Sequence, residues 1–346
     1  GVAFLMRPYT AVLFAAPFVL HATREIAVVL RERAGEADTA DLLWTAAVRR
    51  QAITAVVGLA FVALTLAYNA AVTGSALTFP YEAFAPRDGP GLGRREILGH
   101  SVEYSLPVAL RTNAEVLWYL LTRWVPAGAL GTALAGLGLL AGSPARRVLP
   151  GGLSTALEDG DGRVVLAGLF VTVPAGNVLF WGNYNILATP GDPTDGLLGQ
   201  FGPFYHFDLL APVAIFGAAG ALALWRARTG LTDRASGAVP GGVPALPAGR
   251  VVLAAALVAV LLGTSVALAA GPVERNAAHT DTYEEAYQPF EDREFENAVV
   301  FLPTPYGDWL NHPFQALRND PGLDGDAAHA IGPEPAGEVA GGDALP

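Results

Sequence analysis

The sequence predicts an all-α integral membrane protein of about six transmembrane helices, followed by a short acidic external C-terminal region. Three observations predict it. Over half of the 346 residues are hydrophobic (52%) and only 15% are charged, which excludes an ordinary soluble domain and a nucleic-acid partner alike. Ala52 to Tyr68, Val125 to Ala141, Val164 to Trp181, Leu209 to Trp225 and Val251 to Ala270 are apolar stretches, each about long enough to cross the ~30 Å hydrocarbon core. A sixth and shorter one runs from about Tyr9 to His21. The loops between these stretches alternate between arginine-rich and arginine-poor.

Taken in order, Val2 to Met6 reads as the end of a helix begun earlier, since Gly1 stands where an initiator Met would. The chain is therefore expected to be a fragment whose N-terminal part is missing. Proline removes a donor and disfavours helical geometry at its predecessor, so Arg7-Pro8 predicts a tight external turn over Arg7 to Thr10. Ala22 to Arg33 carries Ile26, Val29 and Leu30 on one side, the pattern of an amphipathic helix lying on the membrane surface. Thr73 to Arg95 is a Gly/Pro-rich loop, and Val108 to Trp124 has helical spacing of Leu110, Val116, Leu117, Leu120 and Leu121. Gly230 to Gly249 reads as a flexible linker. Beyond the last span, Thr280 to Phe295 predicts a polar helix, Ala298 to Leu302 a strand, and Pro303 to Asp326 a loop. The expected organisation is a polytopic membrane domain over 1–271, an acidic external region over 272–331 and a disordered tail over 332–346.

Arginine sets the orientation, because basic residues near helix ends resist translocation. His21 to Gln51 carries Arg24, Arg31, Arg33, Arg49 and Arg50; Gly142 to Arg163 carries Arg146, Arg147 and Arg163; Arg226 to Arg250 carries Arg226, Arg228, Arg234 and Arg250. These loops are expected in the cytoplasm. Gly182 to Asp208 has no basic residue and is expected outside, as is everything after Gly271. The loop Asn69 to Glu115 contains four arginines, but charge counts weigh less over long loops, and alternation places it outside. The expected localisation is the cell membrane, with the lipid bilayer as the first partner.

All 21 basic residues are arginine against 32 acidic ones, a formal charge of -11. Fifteen of the acidic residues follow Gly271, against Arg275, Arg293 and Arg318. A carboxylate-rich, lysine-free external surface stays solvated at high ionic strength and points to a salt-adapted prokaryote such as a halophilic archaeon. The absence of cysteine rules out disulfides, zinc-thiolate sites and thiol catalysis.

Polar residues at membrane boundaries mark candidate chemistry, and four places qualify. Arg7 and Tyr9 sit at the first turn, where an arginine either binds phosphate through charge-assisted hydrogen bonds or simply snorkels. Asn69, Tyr81 and Glu82 either belong to an interfacial aromatic belt or line a re-entrant external loop. His100 and Glu103 share a helical spacing, too few ligands for a metal without a third. Trp181-Gly182-Asn183-Tyr184-Asn185 and Gly202-Pro203-Phe204-Tyr205-His206-Phe207-Asp208 crowd aromatic, amide and imidazole groups at the mouths of two spans. Asn183, Tyr184, Tyr205 and His206 are thus the best local candidates for a sugar or lipid head group. Asp159-Gly160-Asp161 reads as a solvated cytoplasmic turn.

The order Arg7-Pro8-Tyr9-Thr10, Tyr68-Asn69, Thr73-Gly74, Phe79-Pro80-Tyr81, His100, Ala109-Leu110, Asn113 and Gly202-Pro203-Phe204-Tyr205 resembles the later half of prokaryotic GT-C-type membrane glycosyltransferases. These are similar to the family 39 protein mannosyltransferases and aminoarabinose transferases. Pro305-Tyr306-Gly307 and Asn311-His312-Pro313 resemble their trailing external segment. The resemblance implies a polyprenyl-phosphate-linked sugar donor, a glycan, lipid or protein acceptor and transfer on the external face, with no certain cofactor and a divalent metal as a further candidate. It also implies that the catalytic acidic residues lie in a first external loop upstream of Gly1. One departure is specific: many relatives have an arginine beside the late tyrosine, where this chain has Phe204 next to Tyr205, which makes Arg7 the better phosphate partner. A transporter or lipid flippase, signalled by interrupted helices, and a non-catalytic scaffold displaying the acidic region are the rival classes.

Substituted-cysteine labelling in intact cells tests the orientation on a chain with no cysteine of its own. Position 195 should label from outside, and positions 146 and 226 only after permeabilisation; labelling of position 195 from the inside alone would overturn the topology.

Overall fold

The computed structural model describes residues 1–32, 45–84, 86–97, 100–141, 160–187, 189–237, 247–291, 298–302, 319 and 327–331. The described chain is mostly helical. Its elements are α1 (Val2–Met6), α2 (Pro8–Glu32), α3 (Ala46–Thr73), α4 (Pro80–Phe84), β1 (Gly93–Ile97), β2 (His100–Tyr104), α5 (Leu106–Tyr119) with a π-helical turn over Leu120–Trp124, α6 (Ala129–Ala141), α7 (Gly160–Asn177), α8 (Gly182–Asn185), α9 (Gly196–Phe201), a 3-10 turn over Phe204–Leu209, α10 (Leu210–Gly237), α11 (Pro247–Glu291), β3 (Ala298–Leu302) and β4 (Ala327–Ile331). They divide into two units: residues 1–95 with 102–272, and residues 96–101 with 273–346.

Four helical segments are long and apolar enough to cross a membrane: Pro8–Glu32, Val48–Thr73, Phe204–Trp225 and Ala254–Thr282. The pair α5 and α6 would count as a fifth span if its bend lies within the bilayer, and α7 is a shorter apolar helix. The six apolar stretches of the sequence thus correspond to four full-length helices, one broken pair and one short helix.

Several boundaries differ from expectation. The stretch Ala22 to Arg33 is no separate surface helix, because α2 runs unbroken from Pro8 to Glu32. The expected turn over Arg7 to Thr10 contracts to Arg7 alone (φ -144°, ψ 79°), since proline suits the first position of a helix, where its missing N–H is not needed. The helix over Val125 to Ala141 is not a straight span. Val125 N–H donates to the Leu120 carbonyl at 2.9 Å, Ala127 and Gly128 take positive φ of 59° and 55°, and the axis turns by 101° between α5 and α6. The freed Ala127 N–H donates to Ser265 Oγ on α11 at 2.8 Å, so the donor freed at the break is satisfied inside the protein.

Two expected loops and one expected helix also change. Thr73 to Arg95 contains α4 and most of β1, and β1 pairs with β2 in a two-stranded sheet. The linker expected from Gly230 begins later, as α10 extends to Gly237. The polar helix expected from Thr280 is the distal part of the 45-residue α11, and Gly160 and Asp161 open α7 rather than forming a turn. In the second unit, β3 forms over the residues expected and pairs in parallel with β4, from Ala298 opposite Ala327 to Leu302 opposite Ile331. Most of Pro303 to Asp326 and all of Gly332 to Pro346 lie outside the described residues.

The core of the first unit joins α5, α6, α7 and α10. Leu120, Leu169, Val173 and Leu209 form one buried cluster, and Val125, Ala135, Val213 and Phe216 another. Glycine makes the closest approach feasible, since a Cβ on Gly138 would run into the Phe216 carbonyl, and one on Gly220 into that of Leu134. This is small-residue packing of the kind that lets membrane helices touch backbone to backbone. By contrast, the apolar windows of α2, α3 and α11 are 6%, 11% and 0% buried, leaving broad faces suited to lipid.

Gly138→Leu and Gly220→Leu should each destabilise the protein by at least ~1–3 kcal/mol, as overpacked contacts do. Gly136→Ala, where no atom lies within 4 Å of the added Cβ, should leave the unfolding temperature in nanodiscs unchanged.

Candidate functional site

The site is built around the C-terminal end of α7. Pro174 lies inside that helix, and the chain leaves helical geometry after Asn177, where Leu179 N–H donates to Gly176 O at 2.9 Å and Phe180 N–H to Asn177 O at 3.1 Å in tightened i+3 bonds. Five consecutive carbonyls are met by groups from elsewhere. Tyr9 Oη donates to Gly176 O at 2.6 Å, Asn183 Nδ2 to Asn177 O at 3.1 Å, and Tyr104 Oη to Val178 O at 3.1 Å and Phe180 O at 3.3 Å. Gly91 N–H donates to Leu179 O at 2.6 Å. Asn177 itself reaches back to Val173 O at 3.1 Å and across to Tyr205 O at 3.2 Å. Burial raises the Tyr104 hydroxyl above the usual phenol range, which keeps it a donor.

Around this end lies an aromatic and charged rim. Phe180 stands edge-on to Tyr205 with ring centroids 4.7 Å apart and tilted to Tyr9 at 5.8 Å. The Phe204 ring is tilted against Tyr205 with centroids 4.4 Å apart. The Asp88 backbone carbonyl accepts from Tyr81 Oη at 2.7 Å and from Trp181 Nε1 at 3.2 Å, and Tyr81 also donates to the Asp88 carboxylate. Burial raises the Asp88 carboxyl above the ordinary carboxylate value, while the Tyr81 and Trp181 hydrogen bonds pull it down. Burial and the neighbouring Asp88 charge hold the Tyr81 phenol strongly protonated.

Arg7 is exposed at the break between α1 and α2. Among the described residues its guanidinium has no hydrogen-bonded protein partner, yet it lies within electrostatic range of Tyr205 and Asp208. The Asp208 Oδ2 atom is buried and, among the described residues, has no hydrogen-bond partner. Among the described residues Arg7 forms no ion pair with either Asp88 or Asp208, although Tyr205 lies within electrostatic range of both Arg7 and Asp88.

The residues expected from sequence fall into three groups. Arg7, Tyr9, Tyr81 and Tyr205 come together at this rim, and Asn183 is fully buried beneath it. His206, also fully buried, sits with Nε2 2.9 Å from Asn113 Oδ1; among the described residues its Nδ1 and the Asn113 Nδ2 have no hydrogen-bond partner. Tyr184 lies in α8 beside Asn183. Asn69 is fully buried at the end of α3, where Nδ2 donates to Ala76 O at 3.2 Å and closes the turn after the helix. Glu82 is exposed on α4, and His100 opens β2, in the second unit. Among the described residues no group of three His, Asp or Glu could hold a divalent metal. Asp88 escaped sequence reading, because an Asp-Gly pair within a Gly/Pro-rich loop looks like turn chemistry.

The fold and rim describe a polytopic helical chain with a polar, aromatic site at one end of its helices. Residues 298–346 match a family model described as "Domain of unknown function (DUF7846)". No curated protein and no solved structure matches the chain.

Tyr104→Phe removes a donor to two partly buried carbonyls and should cost about 0.5–1.5 kcal/mol, read as a lowered unfolding temperature in nanodiscs. Tyr68→Phe, at an exposed tyrosine, serves as the neutral control.

Proposed function

We propose that the chain is part of a membrane glycosyltransferase that moves a sugar from a polyprenyl-phosphate donor to an acceptor on the external face, with Arg7 holding the donor phosphate. The observation that carries this reading is an exposed guanidinium without a hydrogen-bonded protein partner among the described residues, placed at a helix break beside Tyr205. A planar guanidinium offers two parallel donors to phosphate oxygens. Phe180, Tyr205 and Tyr9 give faces on which a sugar or the first isoprene unit can rest. The resemblance to GT-C enzymes supports the donor class. Arg7 stabilises the charge that develops on the leaving phosphate, an electrostatic contribution made where charge appears in the transition state.

The broken pair α5–α6 is the feature that favours a transporter, since interrupted helices form binding sites there. Its buried residues Val125, Ala127 and Gly128 carry no ionisable group, which weakens that reading.

Arg7→Ala in the full-length protein should weaken donor binding or turnover by roughly ten- to hundredfold, the equivalent of losing about 1.5–3 kcal/mol from a charged hydrogen bond. Arg7→Lys should fall between Arg7→Ala and wild type, because an ammonium lacks the two-pronged geometry. Donor affinity measured in nanodiscs at matched stability checks it, and wild-type behaviour of both variants would remove Arg7 from the phosphate.

A further inference from the structure

Helix α5 with its π-helical turn, Leu106–Trp124, is about 28 Å long at ~1.5 Å per residue, yet its start, middle and close all meet the same end of the bundle. Just before it, Tyr104 donates to the Val178 and Phe180 carbonyls that follow α7. Midway, Asn113 Oδ1 lies 2.9 Å from His206 Nε2. At its close, Leu120 packs with Leu209 and Val173, and the Trp124 ring lies 6.0 Å from Phe207. Helix α6, turned by 101°, instead packs along α10 through Gly138 and Gly220, and its Leu139 carbonyl accepts from Arg163 near the start of α7 at 3.0 Å. Thus α6 follows the bundle axis while α5 lies across one end of it.

Around its axis α5 has three faces. Ala109, Thr112, Asn113, Val116 and Tyr119 are buried against the bundle. Leu106, Leu110, Ala114 and Trp118 recur every fourth residue on an exposed apolar arc, with Leu106 50%, Leu110 52% and Trp118 64% exposed. Arg111, exposed, and Glu115, half-buried, form the edge of that arc away from Leu106. A helix that packs on one side, is apolar on a second and polar along a third suits the boundary between acyl chains and water, where tryptophan is also enriched. The arc adjoins a surface already suited to lipid. A Cβ on Gly128 at the bend would meet Leu268, and Ala127 N–H bonds Ser265; both partners lie in the apolar window of α11, which is 0% buried.

We propose that α5 lies in the plane of the membrane–water boundary, with the arc from Leu106 to Trp118 sunk in the acyl chains of one leaflet and Arg111 on the phosphates of anionic lipids. The partner of this face is a lipid surface, and the bend between α5 and α6 marks the depth of the boundary. The inference does not depend on the glycosyltransferase reading. It sets the end of α7, with the Tyr9, Phe180 and Tyr205 rings beside it, at head-group depth.

The test places a nitroxide on single cysteines introduced at positions 106, 110, 114, 115 and 118 of the intact chain, which has no cysteine of its own, in nanodiscs of phosphatidylcholine and phosphatidylglycerol. Collision with oxygen and with a water-soluble nickel chelate reads the depth of each label. Those at 106, 110, 114 and 118 should lie in one layer ~5–10 Å below the phosphates, within about one helical turn, ~5.4 Å, of each other, and the label at 115 should be open to nickel. Depth that increases steadily along the helix, by roughly 18 Å from 106 to 118, would make α5 half of a broken span and overturn the proposal. Labels at 106, 110, 114 and 118 all open to nickel would overturn it too, because the arc would then meet water. Any three of those four positions decide between the outcomes, so one variant that fails to fold leaves the test intact. Replacing phosphatidylcholine alone by the mixture should raise the unfolding temperature of wild type more than that of Arg111→Gln; equal gains would overturn the contact between Arg111 and lipid phosphate.

Discussion

Five carbonyls in a row, Gly176 to Phe180, have to be hydrogen-bonded where α7 ends, and the arrangement of the site depends on how that is done. A backbone carbonyl shut away from water and left without a partner costs free energy comparable to a lost hydrogen bond. The donors arrive from Tyr9 on α2, Gly91 in the loop after α4, Tyr104 at the end of β2 and Asn183 on α8. Four segments remote from one another in sequence are thereby fastened to one helix end. The loop fastened through Gly91 carries Asp88, and α2, fastened through Tyr9, has Arg7 at its start.

The rim that results is polar without being neutralised. Tyr81 and Trp181 brace the Asp88 backbone, Phe180 and Phe204 pack against Tyr205, and Arg7 remains exposed. An arginine collapsed onto Asp88 or Asp208 would give a stable ion pair with nothing left for a ligand. Aromatic bracing instead holds the Asp88 carboxylate in place, and among the described residues the Arg7 guanidinium keeps its hydrogen-bond donors unused.

Packing divides the helices of the first unit into two kinds. α6 and α10 touch backbone to backbone through Gly138 and Gly220, and α2 approaches α7 closely where Gly168 and Gly176 face Pro17 and Leu13. Such contacts gain dispersion energy and hold the rim's supports rigid. α3 and the apolar part of α11 bury little against the protein, and their uniform hydrophobicity matches lipid rather than a partner helix.

By itself the sequence determined the class of the chain and the identity of its helical segments, because hydrocarbon solubility depends on composition and length, which are local properties. It also made Arg7, Tyr81 and Tyr205 legible, since charge and aromatic rings at helix mouths stand out against an apolar background. The bend between α5 and α6 left a local trace in Pro126 and Gly128, but a proline and a glycine do not reveal a 101° turn stabilised by Ser265. The pairing of β1 with β2 left little, for Gly-Arg-Arg-Glu-Ile lacks the alternation that marks a strand, and in His-Ser-Val-Glu-Tyr Val102 and Tyr104 alternate with Ser101 and Glu103 over only a short run. Only the tertiary structure decided that Asn69 and Asn183 bond to backbone carbonyls, that His206 lies beside Asn113, and that Arg7 and Asp88 both come within electrostatic range of Tyr205. The reason is physical: hydrogen bonds between residues tens of positions apart depend on where helices pack, and no window of sequence contains both partners.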